Sequence, residues 1–156
     1  MRRLVITFVA LGLLGCGQAD KSEPDVVAAL APAFAQFKSR MDQAEISFDR
    51  KRISEIAVVG AADWNYESIV GICYTSQVQR MKYTKIKMAE QRGRIEILET
   101  NSIDAMNVTL VHELGHCIFG LGHSEEESSI MYPAADYSAF PDLTSALDGL
   151  VRELKR

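Results

Sequence analysis

The chain has 156 residues, 47% of them hydrophobic and 24% charged, enough to bury one core and too few for several domains. That apolar content excludes a disordered chain. A formal net charge of −4 with no long basic run argues against nucleic acid as a partner.

Met1-Arg2-Arg3 is a short basic start, and Leu4 to Gly15 is almost unbroken apolar sequence. At about 1.5 Å per helical residue such a run spans about 18 Å, short of a hydrocarbon core of about 30 Å. A signal-peptide core is therefore expected over 1–15. Leu13-Leu14-Gly15-Cys16 resembles a bacterial lipobox, which implies cleavage before Cys16 and lipidation of that cysteine. A plain secretory signal ending near a cysteine is the alternative. On the lipobox reading, residues 16–24 form a lipidated polar tether and 25–156 one soluble domain, extracytoplasmic and lipid-anchored to a bacterial membrane. Gly17, rather than Asp, after the cysteine resembles an outer-membrane destination in a Gram-negative host.

Asp25 to Met41 reads as a helix. Val26, Val27, Leu30, Phe34, Phe37 and Met41 recur at three- and four-residue steps, and Pro32 within the run predicts a kink or a late start. Ile53 to Val59 is short, partly alternating and β-branched, and reads as a strand ended by Gly60. Further strands are expected at Ile69–Thr75, at Thr84–Met88 on weaker grounds, and at Arg94–Leu98. Ile103 to Phe119 reads as a second helix with Ser102 as N-cap and Gly120 and Gly122 as stops. Residues 123–141 read as irregular chain. From Asp142 onward, Leu143, Ala146, Leu147, Leu150, Val151 and Leu154 make a third, amphipathic helix with Asp142 as a possible cap. Strands before a central helix and a helix at the end suggest an α+β layer fold.

All three histidines of the chain lie between His112 and His123. In His112-Glu113-Leu114-Gly115-His116 the two imidazoles are four residues apart, one turn on a helix face, a spacing that one zinc ion can bridge. Glu113 projects at a different angle and can stay off the metal to hold the attacking water. The HExxH pattern alone fixes three positions and is matched by chance in unrelated chains. Gly120-Leu121-Gly122-His123 adds a helix stop and a third imidazole, and three protein ligands with one open position suit a catalytic zinc site. A solvent-exposed loop histidine is the bland reading of His123.

Ser129-Ile130-Met131-Tyr132-Pro133 follows. It resembles the Met-turn of metzincin metallopeptidases, and its Met-Tyr-Pro and the pair His123-Ser124 resemble the matrixin version. The resemblance implies a zincin-like fold. Its twisted, mostly parallel sheet has an antiparallel edge strand, and it packs on an N-terminal helix and the active-site helix, with a C-terminal helix closing the chain. It implies one catalytic Zn²⁺ on His112, His116 and His123, Glu113 as general base, and Met131 as an apolar floor rather than a ligand. It also implies a polypeptide substrate that pairs with an edge strand, for which Val70 to Tyr74 is the candidate. Tyr132 or Tyr137 could line a specificity pocket, or simply pack. A monomer is expected.

One departure stands out. Three residues, not two, separate His116 from Gly120. An extra helical residue turns the exit by about 100° and moves it about 1.5 Å, which would aim His123 away from the metal. A π-bulge, or a helix end elsewhere in 120–122, would absorb it. Failing His123, the run Glu125-Glu126-Glu127 offers a carboxylate, although a solvated charge run is its ordinary reading.

Cys73 falls in a strand candidate and Cys117 on the apolar face of the second helix. The two are either bridged, as an oxidising compartment permits, or buried free thiols. The readings to be separated are a zinc endopeptidase, a catalytically silent zinc-binding envelope lipoprotein, and a metal-dependent hydrolase of a non-peptide bond.

Overall fold

The computed structural model describes residues 23–67, 69–74, 93–133 and 139–156. The signal segment, Cys16, the weak strand at Thr84–Met88, Thr75 and Tyr137 lie outside the described residues.

The chain runs through β1 (Asp25–Val26), α1 (Ala31–Gln43), a short 3₁₀ turn (Arg50–Arg52), β2 (Ile53–Val59), β3 (Gly71–Tyr74), β4 (Gly93–Leu98), α2 (Ile103–Leu114), a π-helical turn (Gly115–Phe119) and α3 (Leu143–Leu154). The four strands form one sheet in the order β1-β2-β4-β3. β1, β2 and β4 are parallel, and β3 runs antiparallel to β4 at the edge of the sheet among the described residues. This is the expected α+β arrangement, mostly parallel with an antiparallel edge strand.

β2 is β-branched, as a strand packed on helices favours. Its register slips between Ile53 and Glu55, which pair with Gly93 and Arg94. The bulge lets Ile53 and Ile56 both turn inward, and this is why the alternation in sequence is only partial. Ile95 and Ile97 of β4 join them beneath the helices, while Arg94 forms ion pairs with Glu55 and Glu96 on the other face.

The first helix corrects the sequence reading. It begins at Ala31, not Asp25, with Pro32 in its first turn, where a missing N–H costs nothing. Val26 pairs with Ile56 instead, and Val27, whose N–H donates to Ile56 O, is 37% exposed. The stripe Leu30, Phe34, Phe37 and Met41 is buried as expected.

α2 is the central element. The Ser102 side chain caps it by accepting from Ala105 N at 3.2 Å, and Asp104 complements the dipole in the first turn. Residues 108–114 are all buried, because this part of the helix lies in the core. α3 starts with a capping box between Asp142 and Ser145 and buries Leu143, Ala146, Leu147, Leu150 and Val151. Arg40 of α1 reaches Asp148 of α3 at 2.8 Å.

Candidate metal centre

The extra residue after His116 is taken up by the π turn. Gly120 N–H reaches Gly115 O, five residues back as in a π turn, as well as His116 O, and Leu121 N–H also donates to Gly115 O. Gly120 then reverses the chain at φ 69°, a left-handed conformation that glycine adopts without a steric penalty. Two contacts anchor the turn. Arg52 donates to Ile118 O at 2.7 Å. Phe119 packs edge-on against Phe37 and Phe48, with centroids 6.3 Å and 6.2 Å away.

With the exit so redirected, His123 returns to the helix. One ring nitrogen from each of His112, His116 and His123 lies within 4.8 Å of the others. The ring centroids are 4.7, 5.4 and 4.8 Å apart. Exposure rises from buried His112 through half-buried His116 to exposed His123, so the group opens to solvent on one side.

Hydrogen bonds set the tautomers. His112 Nδ1 lies 2.7 Å from Ile130 O, and His116 Nδ1 lies 2.6 Å from Leu121 O. A carbonyl only accepts, so both Nδ1 atoms carry the proton and both Nε2 atoms of the neutral rings present bare lone pairs. These two Nε2 atoms face each other at 3.0 Å. Burial pushes the His112 pKa down to about 4, outweighing the Ile130 bond that raises it. The charges of His116 and His123 push the same way. Burial also lowers that of His123, with His116 adding to it. When both rings are neutral, two acceptors therefore meet with no proton between them, an arrangement that a cation relieves. Three neutral imidazoles are a donor set that zinc accepts, so the residues fit the metal that the sequence implied. Among the described residues the group contains none of Glu125, Glu126 and Glu127. These are exposed, and Glu126 pairs with Arg156 at 2.9 Å.

Glu113 is 6% exposed. Burial pushes its carboxyl up to about 7, against the lowering effect of a hydrogen bond from the Cys73 N–H. β3 approaches the helix closely here. A Cβ on Gly71 would lie 2.5 Å from Thr109 Cγ2 and 2.9 Å from Glu113 Cγ and Oε1. Cys73 and Cys117 are joined by a disulfide, which is one of the two alternatives the sequence left open.

Met131 is 2% exposed and lies under the helix at Gly115, where an added Cβ would come within 2.5 Å of its sulfur. The segment around it is tied down locally. Met131 N–H donates to Ser129 Oγ at 3.0 Å, Ser124 N–H to Met131 O at 2.9 Å, and Tyr132 N–H to Ser129 O at 3.1 Å. This turn therefore supplies the acceptor for His112 and fixes the backbone beside His123. The acceptors Ile130 O and Leu121 O, and the anchor Arg52, went unseen in the sequence. Backbone carbonyls carry no residue signature, and Arg52 is one basic residue among three in a row.

A helix with two histidines, a third after a glycine stop and a methionine turn beneath them, all under a mostly parallel sheet, define a zincin-type metallopeptidase domain. The chain matches the Matrixin family over residues 18–145 and belongs to that family. No curated protein and no solved structure matches it significantly. Membership supports a metallopeptidase, and the three-histidine group suits the zinc that such enzymes bind.

Proposed function

We propose that the protein is a zinc-dependent endopeptidase, with one Zn²⁺ held by His112, His116 and His123 and Glu113 as general base. One observation carries the reading: two bare Nε2 atoms 3.0 Å apart, each backed by a carbonyl on its Nδ1, with a third imidazole beside them. When bound, such an ion lowers the pKa of a water to about 7 and polarises a carbonyl. Glu113 takes the proton of the attacking water and returns it to the leaving amine. A carboxyl pushed by burial toward neutral pH is matched to accepting and releasing a proton there. Met131 supports the floor of the site without touching substrate.

The substrate on this reading is an extended peptide added to β3, an edge strand among the described residues. Leu98 N–H donates to Val70 O, so by antiparallel alternation Gly71 and Cys73 turn their backbone groups away from β4. Lipidation of Cys16 would hold the enzyme on the outer side of a bacterial membrane. The Cys73–Cys117 bridge supports such a compartment, since disulfides persist where conditions are oxidising. Among the described residues no helix is long and apolar enough to cross a membrane.

The full-length protein in detergent should contain about one zinc per chain and cleave an unstructured protein, and a chelator should stop the cleavage. Glu113→Ala should keep the metal and lose activity by about 10²–10⁴-fold. Full zinc with no cleavage of any peptide library would favour the silent zinc-binding lipoprotein. Hydrolysis of esters alone would favour the non-peptide hydrolase.

A further inference from the structure

Cys73 is tied to the helix through its sulfur and faces Glu113 through its backbone. Its sulfur is joined to Cys117, with the two Cα atoms 5.6 Å apart, and its N–H, turned away from β4, acts to lower the pKa of the Glu113 carboxyl. Glu113 and Cys117 are four residues apart, the spacing that stacks side chains on one face. Gly71, two residues before Cys73, has no side chain to keep β3 off that face. A Cβ there would collide with Thr109 and with Glu113 itself. The N–H that reaches Glu113 is one that β4 does not use, because Cys73 sits in a pair whose backbone groups point outward.

We propose that the Cys73–Cys117 bridge is a positioning device for the catalytic carboxylate, clamping the edge strand to the π turn so that the Cys73 N–H holds Glu113 in its working orientation. The proposal rests on Glu113 being the general base. Cys73, Cys117 and Gly71 are positioning residues and touch no reacting atom. The clamp commits the Cys73 N–H to the carboxylate, so that Gly71 N–H, Gly71 C=O and Cys73 C=O are the remaining groups that β4 does not use.

The test uses the full-length, zinc-loaded protein. Amide exchange at residue 73 should be slow in the wild type and about tenfold or more faster in Glu113→Ala, with the Ile72 amide, which faces β4, unchanged. Removing the bridge with Cys73→Ser and Cys117→Ser should quicken the same amide and lower kcat by about 10–100-fold. Zinc content should stay unchanged, and KM should stay within about twofold, because uniform binding is not altered. If that variant fails to fold, a water-soluble phosphine gives the same comparison on the folded protein, converting the bridge to two thiols and itself to the phosphine oxide. Equal exchange at residue 73 in wild type and Glu113→Ala would overturn the proposal, as would a bridge-free, zinc-loaded enzyme with undiminished kcat. Should the wild type cleave no peptide, the general-base reading fails, while the exchange comparison still decides whether the bridge holds the carboxylate.

Discussion

Glu113 and His112 are neighbours in sequence, and burial shifts them in opposite senses along the pH axis. His112, lowered to about 4, contributes stability above the unfolded value of 6.5 and loses it as pH falls toward 4. Glu113 is raised from 4.5 to about 7, so the folded chain keeps a proton that the unfolded chain has released. Its contribution is complete below 4.5 and disappears as pH climbs through about 7. Glu113→Gln removes that loss and leaves His112 in place. In metal-free protein, the variant should therefore match the wild type near pH 4 and become more stable than it by up to about 3 kcal/mol near pH 8. Denaturant melts of both proteins at a series of pH values measure the difference, and a constant offset across the range would contradict it. The glycines of the exit offer a second residue-level contrast. Neither Gly120 nor Gly122 has a neighbour where a Cβ would stand, but only Gly120 has a positive φ. Gly120→Ala should cost about 1–2 kcal/mol and weaken zinc binding. Gly122→Ala should change stability by no more than about 0.5 kcal/mol. Thermal melts with a zinc titration separate the two.

Among the elements, those set by local pattern were readable and those set by distant pairing were not. The β-branched run Ile53–Val59 is β2 to the residue, and the stripe Leu30, Phe34, Phe37 and Met41 marks the buried face of α1. Val26 and Val27 fit the helical period and so extend the apparent start of α1 beyond its true one at Ala31. What removes them from the helix is a parallel partner at Ile56, far along the chain, together with Pro32. Spacing between His116 and Gly120 announced that one residue had to be absorbed, and a π turn was one of two ways to do it. Choosing between them needs Arg52 on Ile118 O and Phe119 against Phe37 and Phe48, contacts that exist only once α1, β2 and the helix exit have met. The bridge was undecided for the same reason: two cysteines fix no distance until β3 lies on α2. Gly71 carried no signal either, since its role is to leave room for a side chain more than forty residues later.

At the scale of the whole molecule, the bridge closes a loop with a sequence separation of 44 between its ends. In the chain-entropy account that is worth roughly 4 kcal/mol, a large share of a small domain's stability. Full reduction at saturating zinc should therefore lower the unfolding free energy by about that amount, read by denaturant melts. A change under about 1 kcal/mol would mean that the unfolded chain is already compact there. The carbonyl behind His112 has a different consequence. Ile130 lies outside the helix, beyond the third histidine, and it contributes its oxygen only after the polypeptide has doubled back and lodged Met131 under Gly115. A short synthetic helix bearing the two paired imidazoles would lack that oxygen, and its rings would be free to swap protons between nitrogens. On the proposed reading, tight capture of an ion therefore requires tertiary closure, and a chromogenic zinc indicator would serve as a reporter of native structure.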